Sequence, residues 1–367
     1  MNQDFLSDRL KDRKSQHNFR QLQINAHQID FCSNDYLGIA SQKRLPIEAA
    51  KHTTGSTGSR LISGNYELLL ETEQLVAEFH NSPAGLIYNS GYDANIGLLS
   101  CLPKRGDTIL FDRLSHASIR DGIRLSLAQS RAFAHNDIDD LRSKIRHSSG
   151  NTFVITESVF SMDGELAPLL EIARTCSEFG AHLIVDEAHA TGVIGDHGEG
   201  LVQFLGCEAL CLARIHTFGK AVGCHGAIVL GTSTLRDFLI NFSRAFIYTT
   251  SLPPLAIDAI KKSYELFPKL DDERRYLMEQ ARHFREANIP FEKLSSPTPI
   301  QGIIIPGNEK VRLIASLLQA RGFDIRPISY PSVPKQRERL RITLHSFNTN
   351  SELESLADNL IRLAGEL

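Results

Sequence analysis

Short apolar runs alternate with amphipathic stretches from about Ala84 to Gly231 of this 367-residue chain. Apolar residues recur at helical spacing over Leu169–Phe179 and over Ile138–Ile145. Asn136 and Asp137 precede the second stretch and are residue types that cap helices. Alternating strands and helices indicate an α/β fold, a mostly parallel sheet covered by helices on both faces. The predicted strands are Gly85–Tyr88, Thr108–Phe111, Arg131–Ala134, Phe153–Thr156, Ala181–Val185, Ala213–His216 and Ala227–Leu230, and further helices are predicted at Asp93–Leu99 and Ile119–Ala128.

The alternation breaks at Pro253-Pro254, since a double proline ends any preceding helix. The chain is also longer than a usual single core. We therefore expect a large domain over residues 46–254, a smaller α+β domain over residues 255–367, and an N-terminal segment, residues 1–45, that docks on the smaller domain. Elements predicted outside the large domain are the helices Asp4–Gln16, Leu255–Phe267, Tyr276–Phe284 and Ser351–Leu363, strands near Ile303–Ile305 and Leu340–Leu344, and a hairpin-like piece around Gln21–Phe31.

Charge and cysteine usage narrow the function classes. A formal net charge of -3 gives no electrostatic reason to expect nucleic acid or an anionic membrane surface as a partner. The 6 cysteines are scattered without a CxxC pair, so we expect reduced thiols and no metal site. The first residues are charged, and no apolar run approaches the length of a membrane span. We expect a cytoplasmic protein.

One segment points to a specific cofactor. Residues 186–192 read Asp-Glu-Ala-His-Ala-Thr-Gly and follow a predicted buried strand, which places Asp186 at the strand end where open α/β sheets bind ligands. A carboxylate there suits a cofactor whose ring nitrogen must stay protonated. Opposite unit charges ~3 Å apart attract by about 5 kcal/mol at an effective dielectric of ~20. The segment therefore predicts a pyridoxal 5'-phosphate site with Asp186 as partner of the pyridine nitrogen.

Two further residues complete the predicted site. His189 reaches the ring's phenolic oxygen if the chain turns after the strand, and Lys220 supplies the amine that condenses with the cofactor's aldehyde. Each residue has a plainer explanation: a strand-end Asp often caps a helix, a single His is often structural, and Lys220 is one of 40 basic residues. Their order along the chain, with Thr217 just before Lys220, favours the functional interpretation.

With these residues in place, the chain resembles the α-oxoamine synthase family of fold-type-I pyridoxal-phosphate enzymes over nearly its whole length. The fold implied is a large cofactor-binding domain with a mostly parallel sheet and a smaller α+β domain. The segments that carry the resemblance are Cys32–Gly38, Gly55–Gly64, Asn89–Tyr92, Asp112–Ser118, Thr156–Gly164, Asp186–Gly192, Thr217–Lys220 and Thr249–Pro254.

The resemblance implies roles for further residues around the cofactor. His116 would stack on the pyridine ring, and Thr217 and the backbone N–H groups of Gly91 and Tyr92 would bind the phosphate at a helix N-terminus. Thr249 or Thr250 would reach the same phosphate from a neighbouring subunit, which implies a homodimer with shared active sites. Ser161 and Glu157 fall near the cofactor in the family, and a structural role for either is equally open.

Substrate-binding residues follow from the same resemblance. Arg341 matches the arginine that holds the amino acid's carboxylate, a task suited to a planar bidentate donor, although Arg339 would share its strand face. Asn34 lies on the substrate side of the pocket in relatives, with an Asx turn as its alternative role. Arg20 is the nearest candidate for the family's N-terminal arginine, which receives the acyl group's carboxylate.

The activity implied is a decarboxylating condensation of an amino acid with an acyl thioester. Residues around Asp186 and His116 most resemble the biotin-pathway member of the family, which joins L-alanine to a pimeloyl thioester of coenzyme A or a carrier protein. Other members that use glycine or serine with another acyl group, an aminotransferase, and a non-catalytic cofactor-binding protein remain as alternatives.

Overall fold

The computed structural model describes residues 4–22, 24 and 27–366. These residues form two compact units. The larger unit comprises residues 35–161 and 166–274, and the smaller unit comprises residues up to 34, residues 162–165 and residues 275 onward. The predicted domain boundaries at 45/46 and 254/255 stay a prediction, and the N-terminal segment up to residue 34 groups with the C-terminal part of the chain.

Strands and helices are numbered in chain order. The strands are β1 (Ile29–Asp30), β2 (Ala84–Tyr88), β3 (Thr108–Asp112), β4 (Gln129–Phe133), β5 (Thr152–Glu157), β6 (His182–Asp186), β7 (Cys211–Thr217), β8 (Ala227–Gly231), β9 (Ile300–Ile304), β10 (Phe323–Asp324), β11 (Arg326–Ile328) and β12 (Arg339–Thr343). The helices are α1 (Asp4–Ser15), α2 (Glu67–Phe79), α3 (Gly91–Cys101), α4 (Ala117–Leu125), α5 (Ile138–Arg146), α6 (Leu169–Phe179), α7 (Leu201–Phe204), α8 (Ser233–Phe242), α9 (Arg244–Ile247), α10 (Pro254–Leu266), α11 (Asp271–Glu286), α12 (Asn308–Ala320) and α13 (Asn350–Glu366).

The larger unit is built on a 7-stranded sheet in the order β2-β8-β7-β6-β5-β3-β4. Strands β3 to β7 pair in parallel, whereas β8 runs antiparallel to both of its neighbours. Each strand predicted for this region is confirmed. The middle strand, β6, ends at Asp186, which lies opposite Glu157 of β5 and Ile215 of β7.

Burial explains why the local sequence forms these elements. Leu183, Ile184 and Val185 of β6 are all fully buried, as expected for a parallel strand covered on both faces. Helix α6 has the predicted bounds and ends at Gly180, whose φ of 66° favours glycine. The helix predicted over Ile119–Ala128 instead ends at Leu125, because the residues from Gln129 onward pair with β3 as strand β4.

Helices α3 and α4 pack closely against each other, and α3 begins at the carboxyl end of β2. Gly122 of α4 makes this contact possible, because a Cβ there would lie 2.9 Å from the backbone oxygen of Asn95 and 3.0 Å from Cβ of Leu99. Ser90 caps α3 by accepting the N–H of Asp93. The start of α3 is thus held by its cap and by its fit to α4.

The smaller unit contains a sheet in the order β11-β12-β9 and a short parallel pair, β1 with β10. The hairpin-like piece predicted around Gln21–Phe31 is wrong where the structure describes it; residues 23, 25 and 26 lie outside the described part. Ile29 pairs with Phe323, and the buried Phe31 donates its N–H to Asp324, so the partner strand lies near the other end of the chain. Across the described residues, the helices are all too short or too polar to cross a membrane.

We expect the substitution Gly122→Ala to lower the free energy of unfolding by about 1–3 kcal/mol, because the new methyl group must push α3 away from α4. Gly365→Ala is the matched control, since Gly365 lies in α13 with open space around its Cα and alanine favours helix by up to about 1 kcal/mol. Urea unfolding measures both. Equal stability of Gly122→Ala and the unsubstituted protein would contradict the close helix contact.

Candidate active site

A cavity of about 160 Å³ opens at the carboxyl ends of the parallel strands in the larger unit. It brings together most of the residues predicted for the cofactor: Lys220, Asp186, His189, His116, Gly91, Tyr92, Glu157 and Thr217. Its lining also includes residues that the sequence analysis did not single out: Asn95, Ser118 and Ala188.

Asp186 is 6% exposed, and its carboxylate is held by two neutral donors. The side-chain amide of Asn95 donates to Oδ2 at 2.8 Å, and the N–H of Ala188 donates to Oδ1 at 3.0 Å. These bonds fix the orientation of the carboxylate without neutralising its charge. Asp186 is therefore placed to pair with a cation in the cavity.

A chain of hydrogen bonds connects Asp186 to His116. The Asn95 amide also donates to Oγ of Ser118 at 3.1 Å, and this oxygen lies 2.8 Å from Nδ1 of His116. His116 caps α4, since its Nδ1 accepts the N–H of Ser118 at 3.2 Å. An accepting Nδ1 places the proton of a neutral ring on Nε2. Burial lowers the pKa of His116, so the ring is neutral at pH 7.

Glu157 lies at the end of β5, where its Oε1 accepts the N–H of His116 at 2.6 Å. Burial, together with the negative charge of Asp186, raises the pKa of Glu157 to about 8. Two carboxylates so placed do not both ionise readily. Glu157 is thus mostly protonated at pH 7.

His189 lies in a tight turn that follows Asp186. The turn closes because the carbonyl of Glu187 accepts the N–H groups of Ala190 and Thr191, at 3.0 and 2.9 Å. Nδ1 of His189 lies 2.7 Å from the hydroxyl of Tyr36, which is buried. The ring of His189 is therefore oriented by a residue distant in sequence.

Lys220 lies in the loop that joins β7 to β8. Phe218 donates its N–H to Gly226 and accepts that of Cys224, and the carbonyl of Lys220 accepts the N–H of Gly223 at 2.8 Å. These bonds fold the loop back on itself, so that the Lys220 side chain lines the cavity beside Thr217.

The N-terminus of α3 forms another wall. The first N–H groups of a helix lack partners within it and carry the positive end of the helix dipole. Gly91 is the first residue of this 11-residue helix, and a Cβ built on it would contact only the side chain of Thr217, at 3.5 Å. The hydroxyl of Tyr92 donates to the carboxylate of Asp121 at 2.7 Å, and the backbone N–H of Tyr92 lies in the first turn of α3. This wall suits an anionic group such as a phosphate.

The cavity fits pyridoxal phosphate. It combines a buried carboxylate for a ring nitrogen, a flat neutral imidazole for a ring face, a lysine amine for an aldehyde and a helix N-terminus for a phosphate.

Six predicted residues do not line this cavity: Ser161, Thr249, Thr250, Arg20, Asn34 and Arg341. Ser161 is the last residue of the segment 35–161 of the larger unit. The Asn89 amide binds Oγ1 of Thr249 and the carbonyl of Thr250, each at 2.9 Å. Arg20 is exposed and lines a different cavity in the smaller unit.

Arg341 and Asn34 lie together in the smaller unit. Nη2 of Arg341 donates to Oδ1 of Asn34 at 2.9 Å, and Nη1 donates to Thr343 at 2.8 Å. Arg339 is buried in an ion pair with Asp163. Of the two arginines on this strand face, Arg341 is therefore the better candidate for a substrate carboxylate.

Asn95, Ser118, Ala188 and Tyr36 are the residues of the site that were not predicted from the sequence. Asn95 follows Gly91 by four residues and so shares its helix face, which is a signal that the sequence contains. Tyr36 lies within a segment that carried the family resemblance, but nothing local in the sequence points to its contact with His189.

Comparison with known proteins agrees with this geometry. Residues 26–360 match the family model described as aminotransferase class I and II. An 8-amino-7-oxononanoate synthase from Marinobacter nauticus is 40% identical over 335 residues, covering 89% of this chain and 85% of that protein. The crystal structure of the enzyme of that name from Francisella tularensis is 30% identical, has a TM-score of 0.80, and covers 92% of this chain and 98% of that one.

A serine palmitoyltransferase from Sphingomonas wittichii shares the fold, with a TM-score of 0.90 and 24% identity, covering 100% of this chain and 98% of that one. Because the family model spans most of the sequence and relatives exceed 30% identity over most of its length, the chain belongs to the aminotransferase class I and II family and, within it, to the α-oxoamine synthases.

Proposed function

We propose that the protein is a pyridoxal-phosphate-dependent acyltransferase that condenses L-alanine with a pimeloyl thioester. The products are 8-amino-7-oxononanoate, carbon dioxide and the free thiol, in a step of biotin biosynthesis. The observation that carries the proposal is a buried carboxylate, Asp186, in one cavity with Lys220 and His116. The similarity to 8-amino-7-oxononanoate synthases supports the choice of substrates.

The cavity residues divide the binding of the cofactor among them. Asp186 would hold the pyridine nitrogen, His116 one ring face and His189 the phenolic oxygen, while Gly91, Tyr92 and Thr217 would hold the phosphate. When bound, pyridoxal phosphate supplies an aldehyde that bonds to an amine and a ring that delocalises the electron pair left at the amino acid's Cα.

Lys220 then serves in two ways. Its Nζ would supply the amine that anchors the cofactor, and with alanine bound the free Nζ would remove the Cα proton as a general base. Asp186 would keep the proton on the ring nitrogen, because a carboxylate beside that nitrogen favours its charged form. Asp186 and Lys220 therefore control the two protons on which the reaction depends.

The nucleophilic Cα would attack the thioester carbonyl, and the C–S bond would break to release a thiolate, which takes a proton from solvent to become the free thiol. The resulting β-keto acid loses its carboxylate as carbon dioxide, and Cα is reprotonated. His116 is neutral at pH 7, so it covers the ring and orients the carboxylate by hydrogen bonding rather than by charge. We assign reprotonation to Lys220, which holds the proton taken in the first step.

The substrate contacts that we propose follow the family resemblance. Arg341, held by Asn34, would bind the carboxylate of alanine as a bidentate donor, and Arg20 would receive the distal carboxylate of the pimeloyl group. Thr249 or Thr250 would bind the phosphate held by the partner subunit of a homodimer, which we expect in the cytoplasm. The acyl group would arrive as a thioester of coenzyme A or of a carrier protein.

Thiol release tests the proposed reaction directly. We expect purified protein loaded with pyridoxal phosphate to release thiol from pimeloyl-CoA when L-alanine is added, and to do so at least about tenfold more slowly with glycine or L-serine. Lys220→Ala should abolish release and the visible absorption band of bound cofactor, whereas the surface variant Lys261→Ala should keep both. Release that is faster with glycine or serine would overturn the choice of amino acid, and release that survives Lys220→Ala would overturn the mechanism.

Glu157 predicts a pH dependence of stability. Its pKa is about 8 in the folded protein against 4.5 in the unfolded chain, so the folded state binds more protons and the free energy of unfolding falls as pH rises through this range. Glu157→Gln should therefore show a shallower fall between pH 5 and pH 8, roughly the interval between the two pKa values, in urea unfolding of the cofactor-free protein. The exposed Glu171→Gln on α6 is the control and should keep the original slope. An unchanged slope in Glu157→Gln would show that Glu157 is ionised in the folded protein.

A further inference from the structure

A buried polar cluster lies behind one wall of the cavity and has no part in the reaction described above. Its members Thr191, His216 and His80 are at most 1% exposed. His216 immediately precedes Thr217 on β7, and successive side chains of a strand point to opposite faces. Because Thr217 lines the cavity, His216 points away from it, and any influence on the cofactor must pass through other groups.

Within this cluster, His216 forms a hydrogen bond with the turn that carries His189. Oγ1 of Thr191 donates to the carbonyl of Glu187 at 2.8 Å and lies 2.8 Å from Nδ1 of His216. Since the single hydroxyl hydrogen is given to the carbonyl, the ring nitrogen must be the donor. His216 is therefore held as the Nδ1–H tautomer, and burial lowers its pKa well below the usual value.

This bond joins two walls of the cavity. The last backbone bond between the strands β6 and β7 runs from the N–H of Glu187 to Ile215 at 2.8 Å. Beyond that point the two segments of the chain separate. The segment after β6 enters the turn with His189, and β7 continues to Thr217 and then Lys220. The Thr191–His216 bond connects the two segments just past the last backbone bond.

Nε2, on the opposite edge of the His216 ring, is buried and has no hydrogen-bond partner among the residues that the structure describes. The ring of His216 packs on that of His80, with the ring centroids 3.9 Å apart. A buried nitrogen without a partner lowers stability, so an apolar side chain of similar size would suit this position better. The one hydrogen bond that His216 does donate is then the reason to have histidine here.

We propose that His216 is a positioning residue that sets the spacing of His189 and Thr217. It acts on His189 through Thr191 and on Thr217 through the backbone of β7. The proposal rests on the proposed function in that both residues are taken to bind pyridoxal phosphate.

The test compares His216→Leu, which removes the donor, with His216→Asn, whose amide N–H replaces Nδ1–H. Pyridoxal phosphate affinity and the melting temperature of the cofactor-free protein are measured for each. We expect His216→Leu to weaken cofactor binding about fivefold, the effect of one lost hydrogen bond, without lowering the melting temperature. His216→Asn should bind the cofactor within about twofold of the unsubstituted protein.

Unchanged affinity in His216→Leu would overturn the proposal, as would equal weakening in both variants, which would make ring shape rather than the donor decisive. If His216→Leu does not fold, Thr191→Val and Thr191→Ser replace the pair, with the same fivefold loss expected only for valine and equal affinities contradicting the proposal. Thiol release by the unsubstituted protein is measured in parallel. If the protein binds the cofactor but releases no thiol, the proposed reaction is refuted, and the affinities still decide the role of His216. If the protein does not bind the cofactor, the proposed reaction and the role of His216 are both refuted.

Discussion

Burial of the Asp186 carboxylate is the constraint on which the rest of the site depends. An ionised side chain in a protein interior costs several kcal/mol unless polar partners surround it. The partners here come from two directions, Asn95 on α3 and the N–H of Ala188 in the following turn. The sheet order, the close packing of α3 on α4 through Gly122 and the closure of the turn are therefore all needed to keep one charge in place.

Glu157 and His116 are titratable groups that line the cavity beside Asp186. Burial raises the pKa of Glu157 and lowers that of His116, so both are neutral near pH 7 although both can titrate. The protonated Glu157 still fixes His116 by accepting its backbone N–H. An anion, a neutral flat ring and an amine thus lie together, which is the combination that the chemistry of pyridoxal phosphate requires.

The strands of the larger unit and helix α6 could be predicted from the sequence because the interactions that determine them are local. The apolar runs of the parallel strands and the glycine after α6 are signals within a few residues, and the segment that begins at Asp186 indicates the cofactor through its residue types and their order. Pairing of β1 with β10 was missed, since it joins residues almost 300 positions apart. Tyr36 was missed for the same reason, and the early end of α4 reflects competition from strand β4, a tertiary effect that helical spacing does not contain.

The role of Asp186 is tested most directly by exchange of the Cα hydrogen of L-alanine for deuterium in heavy water. The exchange is followed by NMR in the absence of acyl thioester. The substitution Asp186→Asn keeps the shape of the side chain and removes the charge that holds the ring proton. A charge interaction of about 5 kcal/mol corresponds to a slowing of roughly a thousandfold or more in a variant that still binds the cofactor. Exchange in Asp186→Asn at the rate of the unsubstituted protein would contradict the central position given to this carboxylate.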